Sequence, residues 1–148
     1  MRFLGAKVGL TPAPLKGTGM LAKAKELSEK HGWYLTKQFD NKANAEMHAR
    51  TTAQEILRDF GDEPLDYWVT GIGTGGTLNG VAGVLKEQRP DTSIVVCEPD
   101  NAQLIGSEVV QPVADGDGPV PTHPSFNPHV MQGWTPDFIS SLAEGARG

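Results

Sequence analysis

Cys97 is the only thiol in the 148 residues, which excludes an internal disulfide framework and leaves too few thiols for a cysteine-built zinc site. No apolar run approaches the ~18–20 residues of a membrane span. The opening Met1-Arg2-Phe3-Leu4-Gly5-Ala6-Lys7 meets a lysine before the apolar core of a signal peptide can form. Positive charge is scarce: 18 acidic against 13 basic residues leave a formal net charge of −5. That balance argues against nucleic acid or an anionic membrane as the main partner. Trp33, Trp68 and Trp134 have no basic stripe beside them and read as packing rather than as a base-stacking platform. His123 and His129 share a stretch that lacks a cysteine or carboxylate to complete a ligand set, so no metal is expected. Asp137 and Glu98 are too isolated to form a pair of catalytic carboxylates. These exclusions leave one soluble domain, long enough to bury a core, in a reducing, cytoplasmic setting.

Short apolar runs then alternate with helical periodicity. Residues 6–10 read as a strand, stopped by Thr11-Pro12-Ala13-Pro14. Helical pattern covers about 20–31, with His31 as a cation at its C-terminal end and Gly32 as its stop. Residues 33–35 make a second strand candidate. Asn41 and Asn44 can cap the next helix, whose positions Ala49, Thr52, Ala53, Ile56, Leu57 and Phe60 recur at helical spacing up to Gly61. A third strand at 67–69 leads through a glycine loop into a helix carrying Val81, Val84 and Leu85, broken at Arg89-Pro90-Asp91. Residues 93–97 form the most hydrophobic strand, the run expected where both faces are covered, with Cys97 as a small core residue. The order β-α-β-α-β-α-β predicts an α/β fold with a mostly parallel sheet and crossover helices. Residues 111–128, with five prolines plus Gly116 and Gly118, read as an irregular loop, and 144–148 as a frayed end.

Thr70-Gly71-Ile72-Gly73-Thr74-Gly75-Gly76-Thr77-Leu78-Asn79-Gly80 stands between a strand and a helix. Glycines there let successive backbone N–H groups turn toward a ligand, and the helix N-terminus adds unpaired donors and partial positive charge. Thr74 and Thr77 bring hydroxyls to the same mouth. No lysine follows in the P-loop position, so a nucleoside triphosphate is not indicated. A compact phosphate cup fits. So does dinucleotide binding, because Gly71, Gly73 and Gly76 spell G-x-G-x-x-G and Glu98 ends the next strand. A glycine-rich turn without a ligand is the plain alternative.

The loop resembles the phosphate-binding loop of fold-type-II pyridoxal-phosphate enzymes, cysteine synthases in particular. Leu4-Gly5-Ala6-Lys7-Val8 with Leu10-Thr11-Pro12, then Gln38-Phe39-Asp40-Asn41 with Ala43-Asn44 and His48, are similar to segments of that family in order and spacing. Val96-Cys97-Glu98-Pro99, Pro128-His129-Val130-Met131-Gln132-Gly133 and Phe138-Ile139 extend the likeness to nearly the whole chain. The resemblance implies a three-layer fold like the tryptophan synthase β subunit. It implies that Gly73, Thr74, Gly75, Gly76 and Thr77 hold the phosphate of pyridoxal 5′-phosphate. It places Gln38 at the substrate carboxylate and Gly133 near the substrate, and it makes Glu98 part of a structural turn rather than a ribose ligand. The run Gly133-Trp134-Thr135-Pro136-Asp137-Phe138 departs from the Gly-Ile-Gly-Ala-Gly-Phe of many cysteine synthases.

By the same resemblance, residues 1–38 are the end of the family's N-terminal half and 39–148 the start of its C-terminal half, so the chain looks like an internal fragment. The family's Ser-x-Lys segment, whose lysine forms the Schiff base, has no counterpart in it. Lys37 and Lys42 flank the Gln-Phe segment but are not expected to replace that lysine, and no catalytic residue is assigned. The implied reaction of the complete enzyme, a homodimer, is β-replacement: O-acetylserine and sulfide give cysteine and acetate. A cystathionine β-synthase-like activity and a non-catalytic module that binds pyridoxal phosphate or a dinucleotide are the alternatives. With part of the family's core absent, marginal stability in isolation is expected.

Overall fold

Two parallel strands and the helix that joins them organise the chain. The computed structural model describes residues 1–113 and 120–144. Strand β1 (Tyr67–Gly71) runs parallel to β2 (Ser93–Cys97), with Trp68 beside Ile94 and Thr70 beside Val96. Helix α4 (Gly76–Gln88) is the crossover between them. Before β1 come α1 (Lys16–His31), α2 (Ala43–Arg50) and α3 (Thr52–Phe60), and α2 packs chiefly against α4.

The core has two parts that meet at Trp68. Ile72 and Leu78 pack with Ala102, Leu104, Ile139 and Ala143, so the C-terminal loops close over the start of α4. Ala53, Val81 and Leu85 form the second cluster, joining α3 to α4. The crossover arrangement is the α/β, parallel-sheet fold expected from the order of elements, and the strand at 93–97 lies where the sequence placed it. Gly32 at φ 66 and Gly61 at φ 52 end α1 and α3 in backbone conformations that side chains disfavour.

Four expectations are corrected. Residues 6–10 and 33–35 are not strands: a strand needs a hydrogen-bonded neighbour, and the sheet of the described residues is β1 and β2 alone. Leu10, Trp33 and Tyr34 stand exposed. The first helix begins at Lys16, a turn ahead of the expected start. The single helix through Ala49 and Phe60 is two helices, interrupted at Thr51 (φ −119, ψ −77), whose hydroxyl donates to the Met47 carbonyl at 2.8 Å. Finally, β2 is covered on one face only. Tyr67, Val69 and Val95 on the other face are exposed, and Cys97 is half-buried rather than a core residue. The irregular course expected for 111–128 holds in its described part, whereas 114–119, with Gly116 and Gly118, and the expected frayed end beyond Glu144 lie outside the described residues.

Candidate functional site

The glycine loop occupies the turn from β1 into α4, and three neighbouring segments press on it. Gly75 caps α4 with φ 84. A Cβ there would lie 2.8 Å from the Ala143 nitrogen and 2.9 Å from the Leu142 carbonyl carbon. A Cβ on Gly73 would lie 2.6 Å from the Gly133 carbonyl oxygen, one on Gly71 would strike the Trp134 indole, and one on Gly76 would strike the Asn44 amide. Side chains at these positions are excluded by close packing, not by the turn alone.

Hydrogen bonds fix the loop's peptides. Ser140 Oγ donates to the Thr74 carbonyl at 2.6 Å. Because the trans peptide is planar, the Gly75 N–H then points away from Ser140. The Thr135 N–H donates to the Ile72 carbonyl at 2.6 Å, which turns the Gly73 N–H away in the same manner. The first-turn amides of α4 have no helical carbonyl to bond and carry the positive end of the helix dipole.

Both hydroxyls of the loop are backed by α2. Thr74 Oγ1 accepts from Asn44 Nδ2 at 3.0 Å and from the Gly76 N–H at 3.3 Å, so its own proton is left to donate. Thr77 Oγ1 lies 3.2 Å from His48 Nε2, and His48 Nδ1 lies 2.9 Å from Thr52 Oγ1. Asn44 also donates to the Gln38 carbonyl at 2.9 Å, which ties the Gln38 segment to the loop.

Of the residues predicted from sequence, Gly73, Thr74, Gly75, Gly76 and Thr77 form one continuous wall. Gln38 and Gly133 sit exposed at its edges, joined to it through Asn44 and by packing on Gly73 respectively. Lys37 and Lys42 are exposed beside the Gln38 segment. Glu98 is committed elsewhere: its carboxylate accepts from the Leu104, Ile105 and Gly106 amides at 2.9–3.1 Å, which makes it a loop cap rather than the ribose acid of G-x-G-x-x-G. His123 and His129 are likewise occupied by backbone, at the Val109 and Thr135 carbonyls.

Sequence reasoning assigned no site role to three residues that build this wall. Asn44 and His48 stand four apart, one helical turn, and that spacing is the signal that puts them on one face. Ser140 carries no such signal, since it meets Thr74 only through the tertiary fold.

The residues suit a phosphate monoester: glycine positions with no room for side chains, amides at a helix N-terminus, and two hydroxyls, one already backed by two donors. The sequence profile described as pyridoxal-phosphate dependent enzyme matches residues 1–143. The chain is 40% identical over 144 residues to O-ureido-L-serine synthase of Streptomyces lavendulae, covering 97% of this chain and 40% of that protein. It is 39% identical over 139 residues to a cysteine synthase of Staphylococcus aureus, covering 94% of this chain and 40% of that one. Among solved structures, an O-ureido-L-serine synthase superposes with a TM-score of 0.83 at 38% identity, over 99% of this chain and 41% of the other. An O-acetylserine dependent cystathionine β-synthase from Helicobacter pylori does so with a TM-score of 0.77 at 34% identity, over 97% of this chain and 42% of the other. The chain thus spans about two fifths of the length of the relatives it matches. Its fold is that of fold-type-II enzymes, and it belongs to the family of pyridoxal-phosphate dependent enzymes.

Proposed function

We propose that this chain supplies the cofactor-phosphate cup and part of the substrate wall of a cysteine synthase-like enzyme. The reaction is β-replacement on O-acetylserine, with sulfide entering and acetate leaving. One observation carries the reading: Thr74 and Thr77 hydroxyls and the α4 amides converge on the same loop, with Asn44 and His48 behind them. Pyridoxal phosphate, when bound, supplies the electron sink for bonds at the amino-acid Cα.

The chain's own part is binding and orientation. Gly73, Thr74, Gly75, Gly76 and Thr77 hold the phosphate through backbone N–H and hydroxyl donors. Gln38 offers its side-chain amide to the substrate carboxylate. Gly133, at φ 82, keeps the opposite rim free of a side chain. No lysine here is assigned to the cofactor aldehyde. Residues 1–38 belong to the family's N-terminal half and 39–148 to its C-terminal half, and the whole enzyme is read as a cytoplasmic homodimer. Trp134 packed on Gly71, in a segment that departs from the cysteine synthase pattern, supports a second reading in which the same half-site serves another nucleophile, as in a cystathionine β-synthase.

Titration of the chain with pyridoxal phosphate, followed by absorbance, tests the proposal. Binding is expected, and Thr74→Val is expected to weaken it about tenfold or more, the loss of one charge-assisted hydrogen bond. Borohydride reduction and peptide mapping are expected to find no modified lysine. A defined adduct on Lys37 or Lys42 would show that the chain carries its own amine. Equal affinity in wild type and Thr74→Val would remove the loop from the site.

A further inference from the structure

His48 is held at both ring nitrogens by hydroxyls, Thr77 at Nε2 and Thr52 at Nδ1. Each hydroxyl can donate or accept, so the ring's tautomer depends on what lies at the end of the chain of bonds. A phosphate dianion only accepts. With one at the loop, the Thr77 proton points outward to it and the Thr77 oxygen is free to accept from an Nε2–H. A neutral ring protonated at Nε2 has a bare Nδ1, which takes the Thr52 proton. The reverse order turns the Thr77 proton inward and presents an oxygen lone pair to an anion.

We propose that His48 is a positioning residue for the cup: fixed as its Nε2–H tautomer by Thr52, it turns the Thr77 hydroxyl toward the ligand phosphate. The inference rests on the phosphate reading above and extends it to a residue that does not touch the ligand. Two features of the fold make the relay possible. Thr52 follows His48 by four residues, one helical turn, and its hydroxyl lies 2.9 Å from the ring. The bare Cα of Gly80 lets α2 lie on α4 so closely that a Cβ there would come within 2.9 Å of His48 Cβ. Asn44, on the same face of α2, sets Thr74 as a donor in the corresponding way.

Nitrogen NMR of the labelled chain, titrated with inorganic phosphate and with pyridoxal phosphate, reads the tautomer directly. The expected result is a neutral His48 ring protonated at Nε2 in both bound states. Thr52→Val, which keeps the shape but not the hydroxyl, is expected to weaken phosphate binding about threefold to tenfold, the range of one net hydrogen bond. His48→Gln, whose amide can still donate, is expected to bind phosphate more tightly than His48→Ala. A bound ring protonated at Nδ1 or at both nitrogens overturns the inference, as does unchanged affinity in Thr52→Val. If Thr77→Val loses phosphate while the His48 and Thr52 variants keep it, this inference falls and the cup stands. Failure of the wild-type chain to bind either probe overturns both.

Discussion

Gly80→Ala is expected to cost about 3 kcal/mol in urea unfolding and to abolish pyridoxal-phosphate binding. The added Cβ would overlap the Ala45 carbonyl oxygen, and would lie 2.9 Å from His48 Cβ and 3.0 Å from the Ala49 nitrogen. Two of these neighbours are backbone, so no rotamer change relieves the clash and α2 must lift from α4. Asn44 and His48 then leave the loop with it. Gly83→Ala, on the same helix with open space around it, is the control. It is expected to be neutral or to stabilise by about 0.5–1 kcal/mol, as alanine does in place of helical glycine. Equal stability of Gly80→Ala and wild type would show that the two helices are not in close contact.

Asp137→Ala is expected to lower stability by about 3 kcal/mol, the cost of leaving several donors without an acceptor. The carboxylate is 1% exposed and accepts four bonds. Oδ1 takes the Gly17 and Thr18 amides at 2.9 and 3.2 Å, and Oδ2 takes the Thr18 and Thr122 hydroxyls at 3.0 and 2.9 Å. It therefore caps α1 from the far end of the chain. Asp137→Asn keeps an acceptor for the amides and is expected to lose about half as much. Urea unfolding of the three proteins checks both values. A loss below about 0.5 kcal/mol in Asp137→Ala would place α1 outside the cooperative unit.

Features governed by local rules were legible in the sequence. The glycine stops at Gly32 and Gly61, the strand at 93–97 and the continuous run from Gly73 to Thr77 each depend on neighbours within a few residues. Gln38 and Gly133 entered through family resemblance alone, and the structure brings both to the rim of the loop. Pairing was not legible, because the apolar runs at 6–10 and 33–35 resemble strands whether or not a partner exists. The break at Thr51 escaped because the apolar spacing continues through it, while the Thr51 hydroxyl bonds the Met47 carbonyl of the preceding turn. Asp137 looked isolated in sequence, since its partners Gly17 and Thr18 are 120 and 119 positions away. Ser140 was invisible for the same reason.

The bonds that tighten the glycine loop also predict an order of events in folding. Ser140 reaches Thr74 across 66 positions and Asn79 reaches the Leu142 carbonyl across 63, whereas α2, α3, β1 and α4 follow one another directly. Closing the longer loops costs more chain entropy before any contact repays it. α2, α3, β1 and α4 are therefore expected to assemble first, with the loop made rigid when the C-terminal segment docks. Pulse-labelled hydrogen exchange during refolding is expected to protect the α4 interior ahead of the Ala143 amide, which bonds the Ser140 carbonyl in the docked turn. Simultaneous protection would contradict that order. On the proposed reading of the loop, anion affinity is then acquired at the final stage of folding, after the helix that carries the amides has formed.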